Sequence, residues 1–181
     1  MKNSNIIILF AVLCLPFLLE AQVTVQSLHL QKIKGTDDIP LIILPGSESF
    51  PKKNNFDENT SKNKILKFAE IIDVDIAPTL QGKCTEDEKG NKYWVLKIKS
   101  PGAYSLGLLF DSYRLPVGAE LNIYNSNHTH FKGALSYINN KWNNILAVSP
   151  VKGDEIIIEY YEPFDALFNG ELHIASVAHD F

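Results

Sequence analysis

Few residues of this chain combine a reactive type with a useful spacing, and each can be weighed by what its chemistry requires. His128 and His130, in Tyr124-Asn-Ser-Asn-His-Thr-His130, are spaced to chelate one edge of a metal ion. A structural zinc takes about four protein ligands. A loop pair alone does not complete that shell, so the stretch reads as an exposed hairpin tip. Asp73-Val-Asp75 has the alternating carboxylates of a calcium loop but lacks its glycine turn and later glutamate, and reads as polar strand positions. Cys84, in Gly82-Lys-Cys-Thr85, is the one cysteine expected to remain once an N-terminal export signal carrying Cys14 is removed, and burial and a partner outside the chain are the two favoured readings of its thiol. His179 could serve as a general base, but that chemistry needs a nucleophile beside it and a carboxylate to orient it. The G-x-S-x-G elbow is absent, and His179 lies two residues from the C-terminus, so it reads as a histidine at a domain exit. No residue is assigned a catalytic, cofactor-binding or metal-ligating role. Tyr93, Trp94, Tyr104, Tyr113, Tyr124, Trp142, Tyr160 and Tyr161 are the residue types that stack on sugar rings. Trp94 falls on an inward face and Tyr160 shares a face with Ile156 and Ile158, so most of the set reads as core.

The elements that would position these residues are strands. From about Lys67 the sequence alternates apolar and polar residues with period two. Phe68–Ile76 places Ile72, Val74 and Ile76 opposite Asp73 and Asp75. Lys92–Lys99 turns Trp94, Leu96 and Ile98 inward and Lys97 and Lys99 outward. Further strands are expected at Tyr104–Asp111, Ala119–Asn125, Phe131–Ile138, Ile145–Val151, Glu155–Tyr161 and Glu171–Val177. Between them lie turn-forming stretches such as Leu115-Pro-Val-Gly118, Lys152-Gly-Asp154 and Phe168-Asn-Gly170. Eight short strands separated by such turns predict an all-β protein: a two-sheet antiparallel sandwich, jelly-roll-like.

Upstream, Lys2 followed by the apolar run Ile6–Leu19 and a small residue at Ala21 has the form of an export signal, with cleavage expected after Ala21. The run is too short for a comfortable membrane span, so no stable membrane insertion is expected after cleavage. The product is expected to be secreted, periplasmic or held at the cell surface. Residues 22–66 read as an extended N-terminal segment and linker, with possible strands at Val23–Ile33 and Ile39–Leu44 and a polar stretch at Lys52–Lys64. Residues 67–181 form the expected sandwich. The whole chain has 181 residues, 17 basic against 21 acidic, and Arg114 is its only arginine. Nucleic-acid surfaces cluster cations and favour arginine, so nucleic acid is not an expected partner.

Several segments, in a fixed order, carry a resemblance. They include Trp94, Ser100-Pro-Gly-Ala103, Leu115-Pro116 with Gly118-Ala119, and Ile123-Tyr124. Pro150-Val151 with Gly153-Asp154, Ile158-Glu159 with Pro163, and Val177-Ala-His179 complete the set. Together they resemble the N-terminal region of bacterial lysyl endopeptidase-like secreted serine proteases, where a β-sandwich propeptide or accessory domain precedes a trypsin-like catalytic domain. The resemblance covers residues 92–181, about half the chain. It stops short of the family's catalytic domain, so none of that domain's residues is carried over. It implies a non-catalytic domain or fragment that assists folding, latency or substrate binding. The implied partner is a protease catalytic domain, in the same precursor or on a separate chain. The alternative is a standalone secreted module that binds a glycan or a cell-surface protein.

Overall fold

The computed structural model describes residues 38–50 and 68–181. The expected signal, the Val23–Ile33 strand and the Lys52–Lys64 linker lie outside the described residues. Among the described residues there are ten strands: β1 (Leu41–Ile43), β2 (Ala69–Ile76), β3 (Lys83–Glu86), β4 (Lys92–Lys99), β5 (Ser105–Arg114), β6 (Glu120–Asn125), β7 (Phe131–Leu135), β8 (Leu146–Lys152), β9 (Glu155–Glu162) and β10 (Glu171–Asp180). One helical turn, α1 (Pro78–Gln81), leads into β3. All eight strands expected after residue 67 form. β3, the unexpected ninth, has no apolar alternation, because it is an edge strand with three of its four residues exposed.

One sheet runs β4-β9-β6-β7 and the other β2-β10-β5-β8. The chain crosses between the sheets at every step from β4 onward except the β6–β7 hairpin. The late strands β9 and β10 insert between earlier ones. This nested order is the jelly roll, which buries two inner faces against each other. β1 and β3 share the outer edge of β4: β3 pairs antiparallel with Lys92–Val95, and β1 pairs parallel with Lys97–Lys99. Residues 38–50, assigned from sequence to the extended N-terminal segment, therefore belong in part to the sandwich. Leu44 is buried in its core.

Period-two alternation sends Leu96, Ile98, Leu106, Leu108, Phe110, Leu121, Ile123, Ile156, Ile158 and Tyr160 into that core. The outer face of the first sheet is not simply solvated. Val95, Tyr124 and Ile157 form a second buried cluster there, packed by Ile39 and Phe131. The contiguous run Ile156-Ile157-Ile158 supplies both faces at once. In β10 the register shifts between Ile174 and Ser176, which moves the inward positions from Leu172 and Ile174 to Val177 and His179.

Candidate functional site

The two ends of the sandwich gather the polar chemistry. At the end holding the β4–β5 turn, the bulge in β10 carries His179 into the interior, where it is 0% exposed. His179 does lie at the end of the last strand, as expected of a residue at a domain exit, but its side chain is buried. Its Nδ1 lies 2.7 Å from Ser100 Oγ, and that hydroxyl donates to the Pro45 carbonyl at 2.6 Å. A serine hydroxyl has one hydrogen. With that hydrogen on Pro45, Ser100 accepts from His179, so Nδ1 carries the proton. Burial pushes the imidazole below its ordinary value against opposing charges on Asp180 and Glu70, in keeping with a neutral ring. Phe50 packs edge-on against it, with ring centroids 4.8 Å apart. The N-terminal segment is strapped across this end by Leu44 N–H to Lys99 O at 2.7 Å and Ser47 N–H to Pro101 O at 2.9 Å. A serine and a histidine in contact invite a catalytic reading, but the geometry opposes it. The hydroxyl proton points away from the imidazole and neither side chain reaches solvent. The pair is a clasp.

At the opposite end, the first residues of β4 and the last of β9 flank a pocket of about 200 Å³, lined by Thr79, Lys92, Trp94, Glu162, Asn169 and Gly170. Trp94 is half-buried and stacks on Tyr160, with centroids 5.3 Å apart at 24°. Glu162 is 6% exposed, and its Oε2 accepts from Tyr160 Oη and Gly170 N–H, each at 2.6 Å. A Cβ on residue 170 would sit 2.0 Å from Tyr160 Oη, so only glycine lets the backbone N–H approach. A neighbouring, wider pocket of about 380 Å³ is lined by Asp87, Glu88, Lys89, Asn91, Tyr93 and Tyr161. Asp87 there already accepts from Asn91 and from the backbone of Lys89.

The remaining candidates are dispersed. His128 stacks on Tyr124 at 4.6 Å, while His130 Nδ1 accepts from Lys152 N–H at 2.9 Å, so the two do not converge on one metal position. Asp75 faces not an ion but His173, whose Nε2 lies 2.7 Å away, with Asp111 2.5 Å from Nδ1. The two carboxylates, Asp111 foremost, hold that imidazole above its ordinary value. Neither His173 nor Asp111 stood out in the sequence. Outward alternation marks Asp75, but only the pairing of β2, β10 and β5 joins the three. Cys84 is exposed, which removes the burial reading for its thiol. Among the described residues no layer covers its edge strand. Of the aromatic set, Tyr93, Tyr113, Tyr124, Tyr160 and Tyr161 are buried, whereas Tyr104 is exposed and Trp142 is 97% exposed. Neither the family models nor the solved structures include a match to this chain.

Proposed function

We propose that this chain is a non-catalytic N-terminal domain of a secreted, lysyl endopeptidase-like serine protease, acting as a folding aid, a latency device or a substrate-holding module. The reading starts from the resemblance, and one observation supports treating the matched segments as a single domain: they touch one another. Ser100 of Ser-Pro-Gly-Ala bonds His179 of Val-Ala-His, and its N–H donates to Asp154 of Gly-Asp at 2.8 Å. A Cβ at Gly118 would lie 3.2 Å from Pro163, so these two matched turns are packed together. Tyr124 Oη donates to Glu159 at 2.9 Å, and Trp94 pairs across the strands with Tyr160, next to Glu159. These contacts put the matched segments in one folded unit, which is what a single propeptide or accessory domain requires.

Such a domain would bind the protease through an exposed face or strand edge and be released by cleavage. The test is to refold a lysyl-specific trypsin-like catalytic domain with and without this chain. A higher yield of active enzyme, or reversible inhibition of the folded enzyme, is expected. No effect on either would overturn the proposal.

A further inference from the structure

His179 is satisfied at one ring nitrogen and not at the other. Nδ1–H donates to Ser100 Oγ at 2.7 Å, while Nε2 is buried and has no hydrogen-bond partner among the described residues. In the neutral ring Nε2 is a lone pair, but a proton there makes it a charged N–H with nothing to donate to. The closed structure therefore holds that proton poorly, and a conformation that brings water to Nε2 holds it well. The surrounding elements do not supply the missing acceptor. Asp180 of β10 and Glu70 of β2 favour the cation, but burial outweighs them, and the Ser105 hydroxyl engages Asp180. β5 sets Leu106 beside His179 in register, and Phe50 and Phe181 flank the ring. Lys99, at the end of β4, is drawn to Asp154 and Glu155 instead. Glu48, the only charge in Leu44–Phe50, is exposed.

The strap is the part of this end that yields most easily. Leu44 is the only buried residue of 38–50, whereas β2 and β5 beside His179 are strands of eight and ten residues. Segments that bury little open at the least cost. The strap is held by Leu44 N–H on Lys99 O, Ser47 N–H on Pro101 O and the Ser100 hydroxyl on Pro45 O. Phe50 ends it, packed edge-on against the imidazole, so lifting the strap brings water to the ring.

We propose that the Leu44–Phe50 strap is an acid-released latch: a proton on His179 Nε2 lifts Phe50 and the strap and frees the Lys99 and Pro101 carbonyls that it holds. The device does not depend on the protease reading. The test is amide hydrogen exchange of the purified chain by NMR, corrected for intrinsic rates, between about pH 7.5 and about pH 5, above the usual carboxylate range. Because the open state holds the proton more tightly, protection of Leu44 and Ser47 should fall by up to about tenfold per pH unit below about 6.5, the slope of one proton. Ile158 in β9 should keep its protection, and the fall should track the His179 imidazole signals in the same spectra. His179→Gln, which takes up no proton, should flatten the dependence, and His173→Gln should leave it intact. Should His179→Gln not fold, the match between strap release and the His179 titration in the unaltered chain decides. Four results would overturn the proposal: strap protection that does not vary with pH, loss of Ile158 protection in step with the strap, a dependence that persists in His179→Gln, or one that follows His173 instead.

Discussion

The two ends of the sandwich are built from similar parts and finish differently. Each places a buried titratable side chain beside an aromatic ring: His179 against Phe50 at one end, Glu162 near Trp94 and Tyr160 at the other. At the first end the strap Leu44–Phe50 closes over the group, and Ser100 is engaged on both sides by Pro45 and His179. At the second end Glu162 is held through Oε2 by Tyr160 and Gly170, and the residue borders a pocket. Residue type does not separate a site from a structural cluster here. What separates them is whether the chain closes over the buried group or leaves a pocket beside it.

The strongest perturbation of this contrast is Trp94→Ala. The ring is half-buried against Tyr160 and packs on the main core, so its loss should cost about 2–4 kcal/mol, toward the lower end of values for fully buried aromatics. A urea denaturation curve reads this directly. An unchanged midpoint would mean the ring is a surface platform with no structural share. Ser100→Ala comes next, with about 1–2 kcal/mol expected, because it strips a partner from both the Pro45 carbonyl and the His179 N–H. The same variant should speed amide exchange at Leu44 and Ser47 while leaving Trp94 undisturbed. If exchange at the strap is unaltered, the clasp does not hold it.

The smallest effect separates two histidines by sign. His179 has a folded-state value below its ordinary 6.5, so its contribution is complete above that pH and is lost as the pH falls. His173 lies above 6.5 in the folded state, so its contribution is present below that pH and is lost as the pH rises through the folded value. An NMR titration of the imidazole protons should find the two midpoints on opposite sides of the ordinary value. Both on one side would contradict either the burial of His179 or the carboxylate bracket around His173.

These contrasts also mark what could be read in the sequence. Alternation marks most of the eight sandwich strands, because most turn one apolar face to the core, and Trp94, Leu96 and Ile98 do face the core side. Alternation failed where geometry departs from period two. The shift after Ile174 changes which residues point inward, so His179 enters the core against the simple pattern. β3 carried no signal because an edge strand buries almost nothing. The second cluster is not marked by alternation, because Tyr124 shares its side of the strand with Glu120 and Asn122, and only the fold brings Ile39 and Phe131 against it. The Glu162 site depends on Gly170 returning eight residues later to donate its N–H, which spacing alone does not reveal. The Asp75–His173–Asp111 bracket needs the register of three strands.

Under the proposed function the domain catalyses nothing itself, and Ser100 and His179 form a structural clasp. The most direct measurement is hydrolysis of lysyl ester and amide substrates by the purified chain, alongside Ser100→Ala and His179→Ala. The account predicts no turnover by any of the three proteins, with the substitutions altering only stability. Reproducible lysyl hydrolysis by the unaltered chain that disappears in either variant would contradict it.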